Sequence, residues 1–352
     1  VSARADVVIN RRAAARLDAG HVWVYRSDLV SADSVAPGSL VRVRDERNHL
    51  LGSALYSSAS QIALRLLGRE RVHDDELLPL LQQRIREAID YRRRFVAGAS
   101  NAYRVIFSEA DLLPGLVVDR YNDILVVQPL TQAMDREDIR NTIVDALLQC
   151  LEPEGISSIV AREDAHIRQL EQLPQAETRL LRGQRTSAIY QLNGVNFEFD
   201  ALSGQKTGAF LDQSENYAAA QSYARGAALD VFCYQGGFAL HLARKCESVS
   251  AVDSSRPALE AAERNEKLNP GAPEIEWIEG NAFDLLKDYS SRGEAYDTVV
   301  LDPPAFAKNK RAVETALRGY KELNLRALKM LKPGGILVTC SCSFHVGEQE
   351  FR

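Results

Sequence analysis

The chain has 352 residues, 45% of them hydrophobic, and no low-complexity run, so two or three globular domains with their own cores are expected. No apolar stretch approaches the roughly 18 residues of a membrane span, and the Arg-studded start, residues 1–16, lacks the apolar run of a secretion signal, which leaves a soluble cytoplasmic protein as the expectation. The five cysteines (Cys150, Cys233, Cys246, Cys340 and Cys342) show no CxxC spacing and the six histidines no HxxxH spacing, which argues against a disulfide framework and against a metal site. A net charge of -5 argues against binding nucleic acid by bulk charge alone; residues 1–73, however, carry eleven arginines and no lysine against seven acids, a local balance of +4 and weak support for an RNA-facing surface.

Up to about Arg71 the sequence reads as short strands at residues 21–25, 39–44, 51–56 and 62–66, several of them alternating apolar and polar as half-buried strands do. Trp23 and Tyr25 on the first of these could stack on bases, although aromatics in such strands are more often core. Residues 74–94 switch to a helical spacing, Leu77, Leu78, Leu81, Ile85 and Ile89, closed by Arg92-Arg93-Arg94. Strands at 116–119 and 124–127, a helix at 139–151, a strand at 156–160 and two strands around the hairpin signal Asn193-Gly194 then describe a compact α+β insert.

After Asp200 strands and helices alternate, with strands at 227–232, 249–252, 275–278, 298–301 and 336–339, the pattern of an α/β parallel sheet covered by helices on both faces. Ligands of such sheets bind at the carboxyl ends of the strands. The first strand runs into Asp230-Val231-Phe232-Cys233-Tyr234-Gln235-Gly236-Gly237, whose small residues admit a ligand to the backbone. This is not the GxGxxG spacing that seats a pyrophosphate, and it better fits a cofactor whose amino-acid part carries no phosphate. The second strand ends on Asp253, where an acid accepts hydrogen bonds from ribose hydroxyls, and the third is followed by Asn281, whose amide can hold an adenine edge; each could alternatively be a helix cap. The fourth strand delivers Asp302-Pro303-Pro304-Ala305-Phe306, a carboxylate fixed by two prolines. The fifth delivers Cys340 and Cys342, which strand alternation sends to one face, so spacing does not choose between them.

These motifs together resemble the bacterial large-subunit ribosomal RNA cytosine-C5 methyltransferase family RlmI over nearly the whole chain. The likeness rests on Gly20-His21-Val22-Trp23-Val24-Tyr25, on Pro37-Gly38 through Arg44, on Glu109 through Tyr121 with Pro114-Gly115, on Gly204 through Gln213, on Asp302-Pro303-Pro304 and on Ser341-Cys342-Ser343. It implies a PUA-like RNA-binding domain over 1–73, a linker helix and central α+β domain over 74–200, and a Rossmann-like domain over 201–352 that uses S-adenosylmethionine (SAM). It also implies that the cysteine between two serines, Cys342, is the nucleophile, that Asp302 assists it, and that Lys206, Phe210, Asp212 and Gln213 line the cofactor pocket with Asp230, Phe232, Tyr234, Gly236, Asp253, Asn281 and Asp302. The implied partner is ribosomal RNA of the large subunit, with no metal and room for a homodimer.

Carbon 5 of cytosine is barely nucleophilic until something adds to C6, and a thiolate is well suited to add and later leave. A carboxyl group near N3 would assist by hydrogen bonding. The sequence departs from the family at Gln235, where a small hydroxyl residue is commoner. Ala305 stands where another group of RNA cytosine methylases has a second cysteine, so one thiol serves both steps. The base that takes the C5 proton is unassigned, to Lys308 or His345 included, and the domain is expected to run past Arg352 into a further antiparallel pair. Two rival readings are an amino-group methylase acting on guanine or adenine, and a non-catalytic RNA-binding or ribosome-assembly protein that keeps the fold.

Overall fold

The computed structural model describes residues 5–32, 35–96, 98, 100–202 and 209–351. They form two compact units, one running to Tyr190 and including Phe199–Leu211, the other made of Gln191–Glu198 and the chain from Asp212 onward. Among the described residues no helix is long and apolar enough to cross a membrane.

The first unit opens with β1 (Asp6–Ile9), whose Val7 and Ile9 are fully buried, and α1 (Arg11–Asp18), capped by the Asn10 side chain accepting from the Ala13 N–H at 2.9 Å. With β2 (Trp23–Tyr25), β3 (Leu29–Ser31), β4 (Leu40–Asp45), β5 (Leu50–Tyr56) and β6 (Ile62–Gly68) they make a six-stranded sheet in the order β2-β6-β5-β4-β1-β3. Only the β1–β4 pair is parallel among these. The sequence reading begins its strands at residue 21 and misses β1 and α1, because the arginines at 11, 12 and 16 mask a helix whose buried face is only Ala13 and Leu17.

Next comes α2 (Asp74–Phe95). Its start is marked by Asp74, Asp75 and Glu76, the last accepting from the His73 N–H at 2.5 Å, and its end by Arg92, Arg93 and Arg94, charges that oppose the helix dipole at both ends. Its stripe of Leu77, Leu81, Ile85 and Ile89 shares one core with Ile139, Ile143 and Leu147 of α3 (Glu137–Leu151). Beneath lie β7 (Ala102–Phe107), β8 (Leu116–Tyr121), β9 (Ile124–Pro129), β10 (Ser158–Ala161) and, after α4 (Ala165–Leu170), β11 (Arg179–Arg182), in the order β11-β10-β9-β8-β7. The insert therefore has two more strands than the sequence pattern indicates, β7 at its front and β11 after α4, and α4 itself goes unread in the sequence.

A hairpin of β12 (Ser187–Leu192) and β13 (Val195–Asp200) turns at Asn193 and Gly194, with φ of 51° and 81° as a type I′ turn requires. Its tip goes with the second unit, in which His241 is fully buried beneath it. Burial keeps that imidazole neutral, its pKa lowered to about 4, and one ring nitrogen stands 2.7 Å from the Gly237 carbonyl.

The second unit continues with α5 (Ser214–Tyr223) and then alternates β14 (Ala227–Val231), α6 (Gly237–Leu242), β15 (Ser248–Asp253), α7 (Arg256–Lys267), β16 (Ile275–Glu279), α8 (Ala282–Arg292), β17 (Tyr296–Leu301), α9 (Val313–Met330) and β18 (Leu331–Thr339), ending in α10 (Glu348–Phe351). The strands are all parallel in the order β16-β15-β14-β17-β18. Leu229, Val231, Val252, Val299 and Leu301 of the sheet pack on Leu286 of α8 and on Leu323, Ala327 and Met330 of α9. Truncating one such leucine to alanine costs about 2–5 kcal/mol. The order reverses at β14, which has β15 on one side and β17 on the other, and this reversal opens a crevice at the carboxyl ends. Register then sets what faces it. Val231 is level with both Val252 and Leu301, and Leu301 with Thr339, so the next residues along, Phe232, Asp253, Asp302 and Cys340, arrive together at one rim.

Candidate active site at the strand ends

Asp230, the penultimate residue of β14, is fully buried. One carboxylate oxygen accepts from the Ala239 N–H in the first turn of α6 at 2.8 Å; the other, also buried, has no hydrogen-bond partner among the described residues. Burial, and after it the charge of Asp302, push this carboxyl up to about 8. The loop that follows is strained: Phe232 and Tyr234 hold φ of 69° and 49°, a region non-glycine residues rarely occupy, and Gly236 holds 85°. The Phe232 and Cys233 N–H groups both reach the Val252 carbonyl, at 2.8 and 3.0 Å, which holds that conformation. A Cβ on Gly236 would stand 2.8 Å from the Trp277 ring, so glycine is needed there for space as well as for φ.

Asp253 binds the same loop, accepting from the Tyr234 N–H through one oxygen and from the Ser255 N–H through the other, both at 2.9 Å. Each oxygen keeps a second lone pair for a ligand hydroxyl. Asn281 is the N-cap of α8, its side-chain oxygen accepting from the Phe283 and Asp284 N–H groups at 2.9 and 3.3 Å. The bland reading of this residue therefore holds for its oxygen, while the amide N–H₂ remains a donor. Phe283 beside it is 36% exposed.

Asp302 caps β17 and accepts from the Gln213 amide at 3.3 Å. The Asn216 amide donates to the Gln213 oxygen at 2.6 Å, which turns the Gln213 N–H₂ toward the carboxylate. Burial and then the nearby Asp212 charge push Asp302 up to about 6, against a hydrogen bond from Cys340 that pulls it down. Tyr217 on α5 is buried, and burial followed by the charges of Asp302 and Asp230 push its phenol far up.

The two cysteines differ more than strand alternation allows, because β18 ends at Thr339 and both lie in the loop beyond it. Cys340 is half-buried, its N–H on the Leu301 carbonyl at 2.8 Å, and burial plus the Asp302 charge push its thiol up to about 12. Cys342 is exposed, its sulfur 3.7 Å from the Pro303 carbonyl in the turn after Asp302.

Of the other expected residues, Lys206 lies outside the described residues, and Phe210, 39% exposed, belongs to the first unit. Asp212, Gln213, Asp230, Phe232, Tyr234, Gly236, Asp253, Asn281, Asp302 and Cys342 all belong to the second unit. Sequence reading missed Asn216 and Tyr217, which lie on a helix it did not place, and Tyr320, which reads as an ordinary helix residue. In the first unit the Trp23 indole N–H donates to Glu109 at 2.8 Å and Arg65 lies over its ring.

Five parallel strands in this order, with acids converging where the order reverses, define a doubly wound domain of the kind that holds a nucleoside cofactor at its switch point. Residues 128–351 match the family model of the S-adenosylmethionine-dependent methyltransferases, and residues 7–69 that of PUA-like domains. The chain belongs to the S-adenosylmethionine-dependent methyltransferase family. It is 36% identical over 336 residues to a ribosomal RNA large subunit methyltransferase I of Photobacterium profundum, covering 92% of this chain and 82% of that protein. A protein of the same description from Yersinia pseudotuberculosis is 34% identical over 332 residues, with the same coverage of both. A crystal structure of SMU.776, complexed with SAH, shares the fold with a TM-score of 0.80 at 19% identity, over 98% of this chain and 88% of that one. The residues fit SAM as cofactor: the partnerless Asp230 oxygen suits a donor or cationic group, and Asp253 has lone pairs to spare for hydroxyls.

Proposed function

We propose that this methyltransferase acts on C5 of a cytosine in large-subunit ribosomal RNA, with Cys342 as the nucleophile. The names of its relatives at 36% and 34% identity support the RNA and the subunit. The contrast between the two thiols supports the chemistry. Cys340 is held protonated by burial and by the carboxylate it donates to, whereas Cys342 is open to solvent and stands on the Asp302-Pro303 turn.

Asp253 would hold the ribose of SAM, Asn281 the adenine edge, and Asp230 with the Phe232–Gly236 loop the amino-acid part, with Asp212 and Gln213 of the same unit; the family resemblance adds Lys206 and Phe210 to the cofactor-binding set. When bound, SAM supplies a methyl group on a cationic sulfur, which a carbon nucleophile can displace. The Cys342 thiolate forms a bond to C6 of an unstacked cytosine, and the electron pair of the C5–C6 double bond shifts through the ring toward N3. Asp302, whose titration lies near neutrality, meets the charge at N3 with a proton or a hydrogen bond. C5, made nucleophilic, takes the methyl group; loss of its proton to a base then re-forms the double bond and expels the thiolate. The PUA-like segment within residues 1–73 and the central segment within 74–200 would hold the RNA by backbone and shape. Such a substrate keeps the protein in the cytoplasm, and sedimentation distinguishes a monomer from the homodimer that the family resemblance allows.

The test is a trap. Fluorine at C5 cannot leave as a cation, so large-subunit RNA transcribed with 5-fluorocytidine should form a SAM-dependent complex with the protein that survives denaturing electrophoresis. Its appearance with wild type and its loss in Cys342→Ala are the expected results. Methylation of ordinary RNA without any trapped complex would favour direct attack by an exocyclic nitrogen instead.

A further inference from the structure

Cys342 sits on a loop, and a loop nucleophile needs something rigid to hold it. The serines on either side are both fastened to one buried hydroxyl. Tyr320, from the middle of α9, is 3% exposed, and its ring packs on Phe306 at 4.8 Å and on Phe351 at 5.1 Å between centroids. Ser341 donates to the Tyr320 hydroxyl at 3.1 Å, and that hydroxyl lies 2.8 Å from the Ser343 oxygen. Either hydroxyl of the Tyr320–Ser343 pair can supply the proton between them. The Ser343 oxygen also accepts from the Ala307 N–H at 3.1 Å, a residue of the loop that begins at Asp302. One phenol thus ties the Cys342 loop to a rigid helix, and Ser343 ties it to the Asp302 loop. Ser343 is itself 4% exposed, so its partners are protein groups, while Cys342 between the two anchored serines faces out.

We propose that Tyr320 is a positioning residue that aims the Cys342 sulfur, through its hydroxyl bonds to Ser341 and Ser343. This inference rests on the reading of Cys342 as the nucleophile. Tyr320 touches no substrate; it acts by fixing the loop so that sulfur and C6 meet in line, and a displacement of about 1 Å at such a nucleophile lowers the rate on the order of a hundredfold.

The test compares an oriented with an unoriented reaction of the same thiol. In Tyr320→Phe, which keeps the ring packing, trapping by 5-fluorocytidine RNA should slow about tenfold to a hundredfold, while alkylation of Cys342 by iodoacetamide and the SAM dissociation constant stay at wild-type values. The pair Ser341→Ala and Ser343→Ala, with Tyr320 intact, should reproduce the slow trapping. Trapping at the wild-type rate in Tyr320→Phe overturns the inference, and so does a parallel change in alkylation and SAM affinity, which would mark general damage to the unit. If the wild-type enzyme methylates but forms no adduct, the reading of Cys342 fails, and the role for Tyr320 falls with it.

Discussion

Replacing Asp302 with asparagine should stabilise the protein while removing most of its activity. The carboxyl is pushed from 3.8 to about 6, first by burial and then by Asp212. At about 1.36 kcal/mol per unit this amounts to about 3 kcal/mol of folding free energy lost when the group is ionised. Below pH 3.8 the carboxyl is protonated in both folded and unfolded chains and the penalty is absent. Between 3.8 and about 6 the unfolded chain releases its proton first, so stability falls as pH rises, and above about 6 the full penalty is present. Asparagine keeps an acceptor for the Gln213 amide and carries no charge, so the variant should gain about 3 kcal/mol over wild type at pH 8 and roughly half of that at pH 5. The charge of Asp302 also raises Asp230, so the substitution lowers that second buried carboxyl as well. Urea unfolding at the two pH values reads the difference. A variant no more stable than wild type at pH 8, or an advantage that grows toward acid, would refute the reasoning. The same variant should lose most of its methylation, since the amide can donate a hydrogen bond to N3 but cannot transfer a proton to it.

Asn281→Asp separates the two roles of that residue: the aspartate still caps α8, so thermal stability should hold, but the lost N–H₂ donor should weaken SAM about tenfold in calorimetry. Asp253→Ala removes the proposed ribose acceptor and should weaken SAM by roughly tenfold to a hundredfold, with the RNA affinity of the protein unchanged in filter binding. In the first unit Glu109 is held below the usual carboxylate range despite burial, by Ser108, Arg65 and Trp23. Its Arg65 partner is only 15% exposed, so Glu109→Ala leaves a nearly buried guanidinium unpaired and should cost about 3 kcal/mol. The wild-type contribution should fade as pH falls through the lowered carboxyl value, which urea titrations from pH 7 to 3 would show.

The parallel sheet was legible because short strands alternate with helical spacings after Asp200, and the register of such strands brings successive ends to one rim. Asp253, Asp302 and the Asp230 loop could be placed for that reason. The two cysteines could not be told apart by pattern, because strand alternation ends at Thr339 and burial by tertiary neighbours decides their acidity. The hairpin tip at Asn193-Gly194 was readable as a turn but not as part of the second unit, since what it covers, His241, lies 48 positions away in sequence. Tyr320 was invisible as a site residue: at helical spacing a tyrosine reads as core, and nothing local reveals that its hydroxyl meets serines some 20 residues on. The cap role of Asn281 shows the converse, a residue for which both the structural and the functional readings fit at once.

The most direct test of the account is to incubate the protein with methyl-labelled SAM and protein-free large-subunit RNA, digest the RNA to nucleosides, and compare wild type with Cys342→Ala and Cys340→Ala. The account predicts label in 5-methylcytidine, abolished by Cys342→Ala and largely kept by Cys340→Ala. Label on another nucleoside, or 5-methylcytidine that survives the loss of Cys342, would contradict it.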